Sequence, residues 1–549
     1  MKNLLHKLRT TIVLVFIISQ SAYTQTPVNG YISSNTIWNQ AASPYIVTGN
    51  ILVSYGYRLT IDAGVVVKFD RDCAIQVDGE MIAVGTELNR ITFTSNQTSP
   101  LAGDWAKIQF SDSSTDAVFD TSGNYLSGSI LKFCDIQYAG GLGYGAFHNI
   151  GAYPYFNNCK ILDCESSGFY IIGGDLNSSS SPLSVIDSCC IRNCQDYGIY
   201  SHYNEARMFI QHDTIENCKG GLQFSGLDNV LISNNYIASN YGAITCRFMS
   251  MFQLTISVND FVNNEGDNII SHSSSGFSGN FYVDCNRFIN NHSTSDLYKA
   301  SHAHGSISSN VFDGNESTYG SIVGLSNDVS VHFMITNNIF RNNRTLNVPC
   351  LSFALIPYLI FENNSLLNNE ALCAVGLRNF GGTSFRNNNF DNPNSTYELY
   401  NMNAYGEDNI DASNNYWGSI NAQHIDTVIY DFFDNANLSV ASFTPFLTSA
   451  AIVDTSCNSI PSGFDFPQAA GPEGVIFPNP AMSYCKIQLT KMIVDGSLEV
   501  FDILGNKVLY EHMRFQSTFD INLQKFIAGL YIVKITDGQR SLNLKLVVR

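Results

Sequence analysis

The chain has 549 residues, enough for two or three domains and a long buried core. Only 14% of it is charged while 44% is hydrophobic, so its polar surface is mostly Asn, Ser, Thr, Gly and Tyr. A net charge of -18 argues against nucleic acid and against an acidic membrane surface; an acidic polysaccharide stays admissible, because calcium can bridge carboxylate to carboxylate.

Residues 1–24 read as a secretory signal peptide. Lys2, Lys7 and Arg9 give the charged start, Thr11 to Ser19 the apolar stretch, and Ala22-Tyr23-Thr24 a small-residue exit before Gln25. The apolar run is short for a bilayer span, so a soluble exported protein is expected.

Residues 25–125 hold short strand candidates separated by turn residues: Leu59-Thr60-Ile61, Val65 to Phe69, Ile75-Gln76-Val77, Met81 to Val84, Ile91-Thr92-Phe93 and Ile108-Gln109-Phe110. With Gly49-Asn50-Ile51, Gly85-Thr86 and Gly103-Asp104-Trp105, this stretch resembles the opening coils of bacterial surface β-helix proteins. The resemblance implies a capped entry to a solenoid rather than an active site.

From 126 to 447 the chain repeats. Cys134-Asp135-Ile136, Cys159-Lys160-Ile161, Cys189-Cys190-Ile191, Asp213-Thr214-Ile215 and Asn235-Tyr236-Ile237 align with later triplets such as Asn259-Asp260-Phe261, Asn310-Val311-Phe312 and Asn415-Tyr416-Trp417. One slot is always large and apolar, and two residues earlier stands Cys, Asp or Asn. The interval, in the twenties with tolerant spacing, marks a solenoid. Neither the Leu of leucine-rich repeats nor a 3.6-residue stripe is present, and short β-rich runs alternate with Asn and Gly. The expected fold is all-β: a right-handed parallel β-helix whose twelve visible coils rise roughly 58 Å at about 4.8 Å each. Asn at a repeated corner is expected to adopt the left-handed backbone, and its amide to bond to the Asn above and below. A second ladder follows three residues after the apolar slot, through Cys164, Cys194, Cys218, Asn240, Asn264, Asn291, Asn315, Asn343 and Asn369.

The far end carries Asn414-Asn415-Tyr416-Trp417-Gly418, then Ile425, Val428, Ile429, Phe432 and Phe433 at the spacing of one helical face. This resembles the last coil and cap of right-handed β-helix proteins of the pectin-lyase-like class. A covering helix would shield open strand edges, and Trp417 is expected to close the last coil rather than to stack on sugar.

Residues 448–474 read as a linker and 475–549 as a small β-sandwich. Phe477-Pro478-Asn479-Pro480, Phe501-Asp502-Ile503-Leu504-Gly505, Gly529-Leu530-Tyr531-Ile532-Val533-Lys534 and Lys545-Leu546-Val547-Val548 resemble the C-terminal sorting domain of type IX secretion cargo in Bacteroidota. That resemblance implies the secretion machinery as a partner and delivery, via the periplasm, to the cell surface or beyond it.

The chain has fourteen cysteines, which in an exported protein suggest disulfides. Six of them fill ladder slots that Asn takes later, so packed thiols are expected there. No CxxC pair has zinc spacing to a second pair, and no motif calls for a metal or cofactor.

The pectin-lyase-like resemblance would bring calcium-binding aspartates with an arginine base, or the paired acids of polygalacturonases. Neither arrangement is present; Ala303-His304-Gly305 matches one fragment without acidic partners. Register suggests another place. If Ile199, Leu222, Ile244 and Ile269 point inward, then His202, Ser225, Arg247 and His272 point outward on successive coils. His and Arg about 5 Å apart would neutralise a uronate and abstract its proton, which makes His202, Arg247 and His272 the candidate catalytic residues; a solvated polar face is the plainer reading. His302 and His304 have no fixed register, and Glu205, Asp213 and Asp228 read as turn acids. Two functions follow. One is a monomeric surface protein binding glycan or matrix without catalysis, its 28 Tyr suited to sugar stacking. The other is a polysaccharide lyase or glycoside hydrolase acting on an acidic polysaccharide.

Overall fold

One coil shows how the chain turns. Arg207–Gln211 forms a strand, His212 takes φ +57°, and Asp213 turns inward. Thr214–Glu216 forms a second strand, Asn217 takes φ +57°, Cys218 turns inward, and Gly220–Ser225 forms the third. The next coil repeats this in parallel register: Met208 faces Val230, Ile215 faces Ile237, and Leu222 faces Ile244. Three faces therefore wind around one core. The first face is a 14-stranded sheet; the second and third are joined in a 29-stranded sheet.

The computed structural model describes residues 25–120, 123–173, 183–202, 207–225, 229–248, 252–274, 279–301, 304–326, 332–356, 358–378, 383–454, 474–477, 481, 484–502, 506–536 and 541–548. The expected signal peptide, most of the expected linker, Glu205, Asp228, His302, Ala303, Pro478 to Pro480 and Gly505 lie outside them.

Stacking supplies the core. The repeated apolar slot is buried from Ile136 to Trp417. Phe261, Phe288, Phe312 and Phe340 stack in turn at 4.7, 4.4 and 4.7 Å between ring centroids. Such offset rings add about 0.5–1.5 kcal/mol per pair beyond burial.

Both ladders form, and both have a direction. Asn235 donates its backbone N–H and its Nδ2–H to Asn259 Oδ1, each at 2.9 Å, and Nδ2 also donates to Ile210 O of the preceding coil at 2.9 Å. The pattern runs unbroken to Asn415. The second ladder runs likewise from Asn240 to Asn369 and then reaches Asn392, one rung beyond the sequence pattern. Every ladder amide from Asn235 to Asn388 and from Asn240 to Asn392 is thereby satisfied. The cysteine rungs keep one of these bonds: Cys159 Sγ donates to Leu131 O at 3.3 Å. All six ladder cysteines are free and buried, as expected.

The left-handed corner is not the ladder residue itself. It is the residue before it: Asn234, Asn263, Asn337 and Asn363, but also Phe133, Val258 and Cys285, all with φ between 51° and 61°. The ladder side chain must point inward to reach the adjacent coils, so the bend falls one position earlier.

The cap also differs from expectation. The helix covers only Ala422–Thr427, and Phe433 is 75% exposed, so no five-residue apolar face exists. Ile429–Tyr430 instead adds a strand to the sheet, with Ile429 opposite Leu399, because pairing the open edge satisfies backbone that a longer helix would leave bare. Trp417 is buried against Phe390 at 4.8 Å, which excludes it as a sugar platform.

Residues 459–549 belong to a second compact unit. Its strands form one five-stranded antiparallel sheet, and two of them, Tyr484–Asp502 and Lys507–Asn522, are long. The pairing between them breaks register between Gln488 and Ile493. A single core unites Cys485, Ile487, Phe519 and Ile521 from one half with Leu498, Val500, Val533 and Ile535 from the other. The sandwich is thus one sheet folded upon itself.

Candidate functional site

Parallel register turns each outward position into a lane along the helix. On the third face one lane passes through Gln76, Gln109, His148, Tyr170, Tyr200 and Gln223. It continues through Thr245, Ser271, Lys299, Gly324, Ser352 and Gly376 to Tyr400 and Tyr430. None of these fourteen positions is acidic, in a chain that carries 47 acids against 29 bases.

Its first part is aromatic. Tyr170 stacks on Tyr200 at 4.8 Å, Tyr144 stacks on His148 at 4.5 Å, and His148 meets Tyr170 edge to face at 5.4 Å. Lys107 Nζ lies 4.0 Å from the centre of the Tyr144 ring and 3.2 Å from His148 Nδ1. Burial, and then the Lys107 charge, push the His148 imidazole down to about 4, so it is neutral near pH 7. Nδ1 must then accept from Lys107, which places the ring proton on Nε2, a buried atom without a partner. Burial also lowers the Lys107 ammonium. Beside this cluster an open cleft of about 370 Å³ is lined by Tyr31, Gln76, Lys107, Gln109 and Leu142 among others. Such a place offers flat apolar rings, amide donors and acceptors, one cation and, from Asp72 in the cleft lining, one carboxylate.

The sequence-derived candidates fare unequally. His202 does point outward, bonded through Nδ1 to Ser225 Oγ, and Arg247 occupies the next rung of the same lane. The Arg247 side chain lies outside the described residues. His272 does not join them. Ile270, not Ile269, pairs with Ile244, so Arg247 faces Ser273 and His272 faces Cys246. A slip of one residue reverses the face, and both Ile269 and Ile270 are apolar enough to permit it. His272 is buried, stacked on Phe281 at 3.8 Å and bonded through Nε2 to Tyr298 Oη at 2.6 Å. Burial pushes its imidazole down to about 3. Asp213 is no turn acid either: it is a buried ladder rung.

The aromatic lane was missed, although a signal existed. Gly168-Phe169-Tyr170 and Gly198-Ile199-Tyr200 place Tyr in the same slot of consecutive coils. Two other polar clusters satisfy themselves. The Asp187 carboxylate accepts from Asn157, Tyr155, Ser188 and His212, which fills its acceptor sites. A shallow cleft of about 320 Å³ at a second-face corner is bordered by Arg192 and Glu216, which pair at 2.6 Å.

Comparison with known proteins bears on the chain in two parts. Residues 29–237 match the right handed beta helix region, and residues 475–549 match the secretion system C-terminal sorting domain. The chain is a type IX-secreted β-helix protein. Export of this β-helix protein to the cell surface or the extracellular space follows from its sorting domain. It is 36% identical over 81 residues to protein bark beetle of Drosophila melanogaster, a match spanning 15% of the chain and 3% of that relative. Among solved structures it is similar to the catalytic domain of a GH87 alpha-1,3-glucanase in complex with nigerose, with TM-score 0.32, 11% identity, 63% of this chain and 65% of that one covered. It is also similar to a tailspike protein mutant of E. coli bacteriophage HK620 in complex with pentasaccharide, with TM-score 0.22, 10% identity and coverages of 91% and 86%. At these scores nothing about ligand or reaction passes from those proteins to this one.

Proposed function

We propose that this exported β-helix protein binds a glycan along the outer lane of its third face, without chemical turnover. The observation that carries the reading is the Tyr144, His148, Tyr170 and Tyr200 array beside an open cleft. A pyranose presents C–H faces to aromatic rings and hydroxyls to amides, and Tyr serves both ends of that exchange. Gln76 and Gln109 sit in the same lane to meet the hydroxyls. The absence of turnover is supported by how the basic groups are spent: Lys107 and His148 hold one another, and the remaining His148 nitrogen is buried. Neither is displayed as a general base. Immobilised-glycan binding by the purified chain tests the reading, with Tyr170→Ala and Tyr200→Ala expected to lower binding at least tenfold at an unchanged melting temperature. Retention of full binding in both variants would move the site elsewhere.

A second reading, cleavage of an acidic polysaccharide, rests on the hydrogen bond between His202 and Ser225 and on Arg247 at the next rung. It requires unsaturated or reducing ends to appear when the chain meets a uronate polymer, and their loss in His202→Ala.

A further inference from the structure

The lane that begins in aromatic rings also ends in them. Tyr400 stacks on Tyr430 at 4.5 Å, and Tyr397 packs against both, at 6.1 and 5.1 Å. Register places Tyr400 and Tyr430 in the lane of Tyr170 and Tyr200. We propose that these two tyrosine stacks are the ends of one binding trough, whose occupant is a linear, unbranched glycan lying parallel to the helix axis and touching both. The inference rests on the glycan-binding reading and adds the shape and minimum length of the ligand.

Three observations favour a single long occupant over two separate sites. First, Tyr200 and Tyr400 are eight coil steps apart, roughly 38 Å at about 4.8 Å per step, along a straight lane. Second, no aromatic ring stands in the lane between them. Gly324 and Gly376 carry no side chain of their own, and the groups that lie over them, the Asp296 carboxylate and the Pro349 ring, are smaller than the tyrosine rings at either end. Third, the floor is furnished for hydroxyl groups rather than for an apolar partner. Lys299 offers a cation, and the Asp296 carboxylate lies where a side chain on Gly324 would begin, within 2.7 Å of that point. A donor and an acceptor on neighbouring rungs suit a polyhydroxylated chain. An extended pyranose chain advances by about one coil step per sugar, so bridging the stacks takes about eight sugars.

Joining two weak sites through one ligand makes the second contact intramolecular, which raises apparent affinity about a hundredfold or more without any new contact. The test is calorimetric titration of the full chain, using cello-, xylo-, manno- and galacturono-oligosaccharides from di- to decasaccharide. The expected result is weak binding up to about six sugars and a steep rise near eight, in whichever series binds. Tyr400→Ala is expected to bring the decasaccharide down to the level of the short oligosaccharides, whose remaining binding in the variant is that at Tyr170 and Tyr200. Because Tyr400 points outward, its melting temperature should hold; Tyr430→Ala provides an independent second variant. Affinity that does not depend on length, or a decasaccharide indifferent to both variants, overturns the trough and leaves binding at Tyr170 and Tyr200 intact. Failure of the wild-type chain to bind any series at any length overturns the glycan reading, and the trough with it.

Discussion

Asn392 donates both its backbone N–H and its Nδ2–H to the carboxylate of Glu398, at 2.7 Å each. Every amide of the second ladder points its N–H toward the next coil, so the last rung needs an acceptor and nothing else. A carboxylate is such a group. Glu398 is the terminus of a polarised chain of amides, buried near the cap.

Glu398→Gln should therefore destabilise the chain, because an amide nitrogen cannot accept from an Asn392 donor, whereas both carboxyl oxygens of Glu398 can, with or without a proton on one of them. The expected cost is about 1–3 kcal/mol at pH 5. Burial pushes the Glu398 carboxyl up to about 7. A raised acid contributes stability that is complete below its unfolded value, about 4.3, and that is lost as pH climbs through 7. The gap between wild type and variant should narrow from pH 5 to pH 8 in denaturant titrations; a constant gap would separate Glu398 from the ladder.

In the first ladder, at the rung just before its asparagines begin, the same chemical change should have the opposite sign. Asp213 Oδ1 accepts from the Cys189 N–H at 2.6 Å, and Oδ2 is buried without a partner. In later coils that second position is an Nδ2–H donating to the next Oδ1. Burial, and then the nearby Asp187 charge, hold the Asp213 carboxyl well above the usual range. Its contribution is present below about 3.9 and lost as pH rises. Asp213→Asn should stabilise by about 1–3 kcal/mol at neutral pH and flatten the alkaline side of the stability curve. A lower melting temperature for this variant would contradict the ladder's direction.

Val258 holds φ +58°, a conformation that costs a β-branched residue about 1–2 kcal/mol. Val258→Asn matches the residue found at Asn234 and Asn337 and should raise stability by about 1 kcal/mol. Asn263→Val is the reverse experiment, and a calorimetric melt of the pair should show shifts of opposite sign.

The ladders were legible because the apolar slot recurs from Ile136 to Trp417 with Cys, Asp or Asn always two residues before it, and a solenoid repeats its physics as it repeats its sequence. The site was less legible because outward positions are under no packing constraint, so the only repeat there is a short one, Tyr170 and Tyr200 in two consecutive coils. The misplacement of His272 has a definite cause. Ile269 and Ile270 are adjacent, and nothing in their chemistry says which one faces Ile244. The cap was misread because helical spacing in Ile425 to Phe433 looks the same whether the chain coils or adds an edge strand after one turn.

Removing residues 475–549 should abolish export while leaving the helix folded. Among the described residues the main core cluster includes none beyond Phe446, and Leu447 donates its N–H back to Asn415 O at 2.9 Å, closing the last coil before the tail begins. Cell fractionation should find the truncated chain in the periplasm with an unchanged melting temperature. Its appearance outside the cell at the wild-type level would disprove the role of the sorting domain.

His202 and His272 were placed on one face by sequence and stand on opposite faces in the fold, so their variants should fail in different assays. His272→Ala removes the ring stacked on Phe281 and strands the Tyr298 hydroxyl, which should cost about 3 kcal/mol or more. A buried imidazole held down at about 3 contributes stability that is full above its unfolded value near 6.5 and declines as pH falls toward 3. The variant should therefore lose part of the wild type's acid sensitivity, while its glycan affinity at 20 °C below its own melting point stays close to normal. His202→Ala should do the reverse. Its ring lies outside the core, tilted toward Tyr200 at 6.1 Å and bonded to Ser225, so the melting curve should barely move while glycan affinity falls severalfold. Loss of stability in His202→Ala together with loss of binding in His272→Ala would restore the outward alignment of His272 and invert this face of the helix.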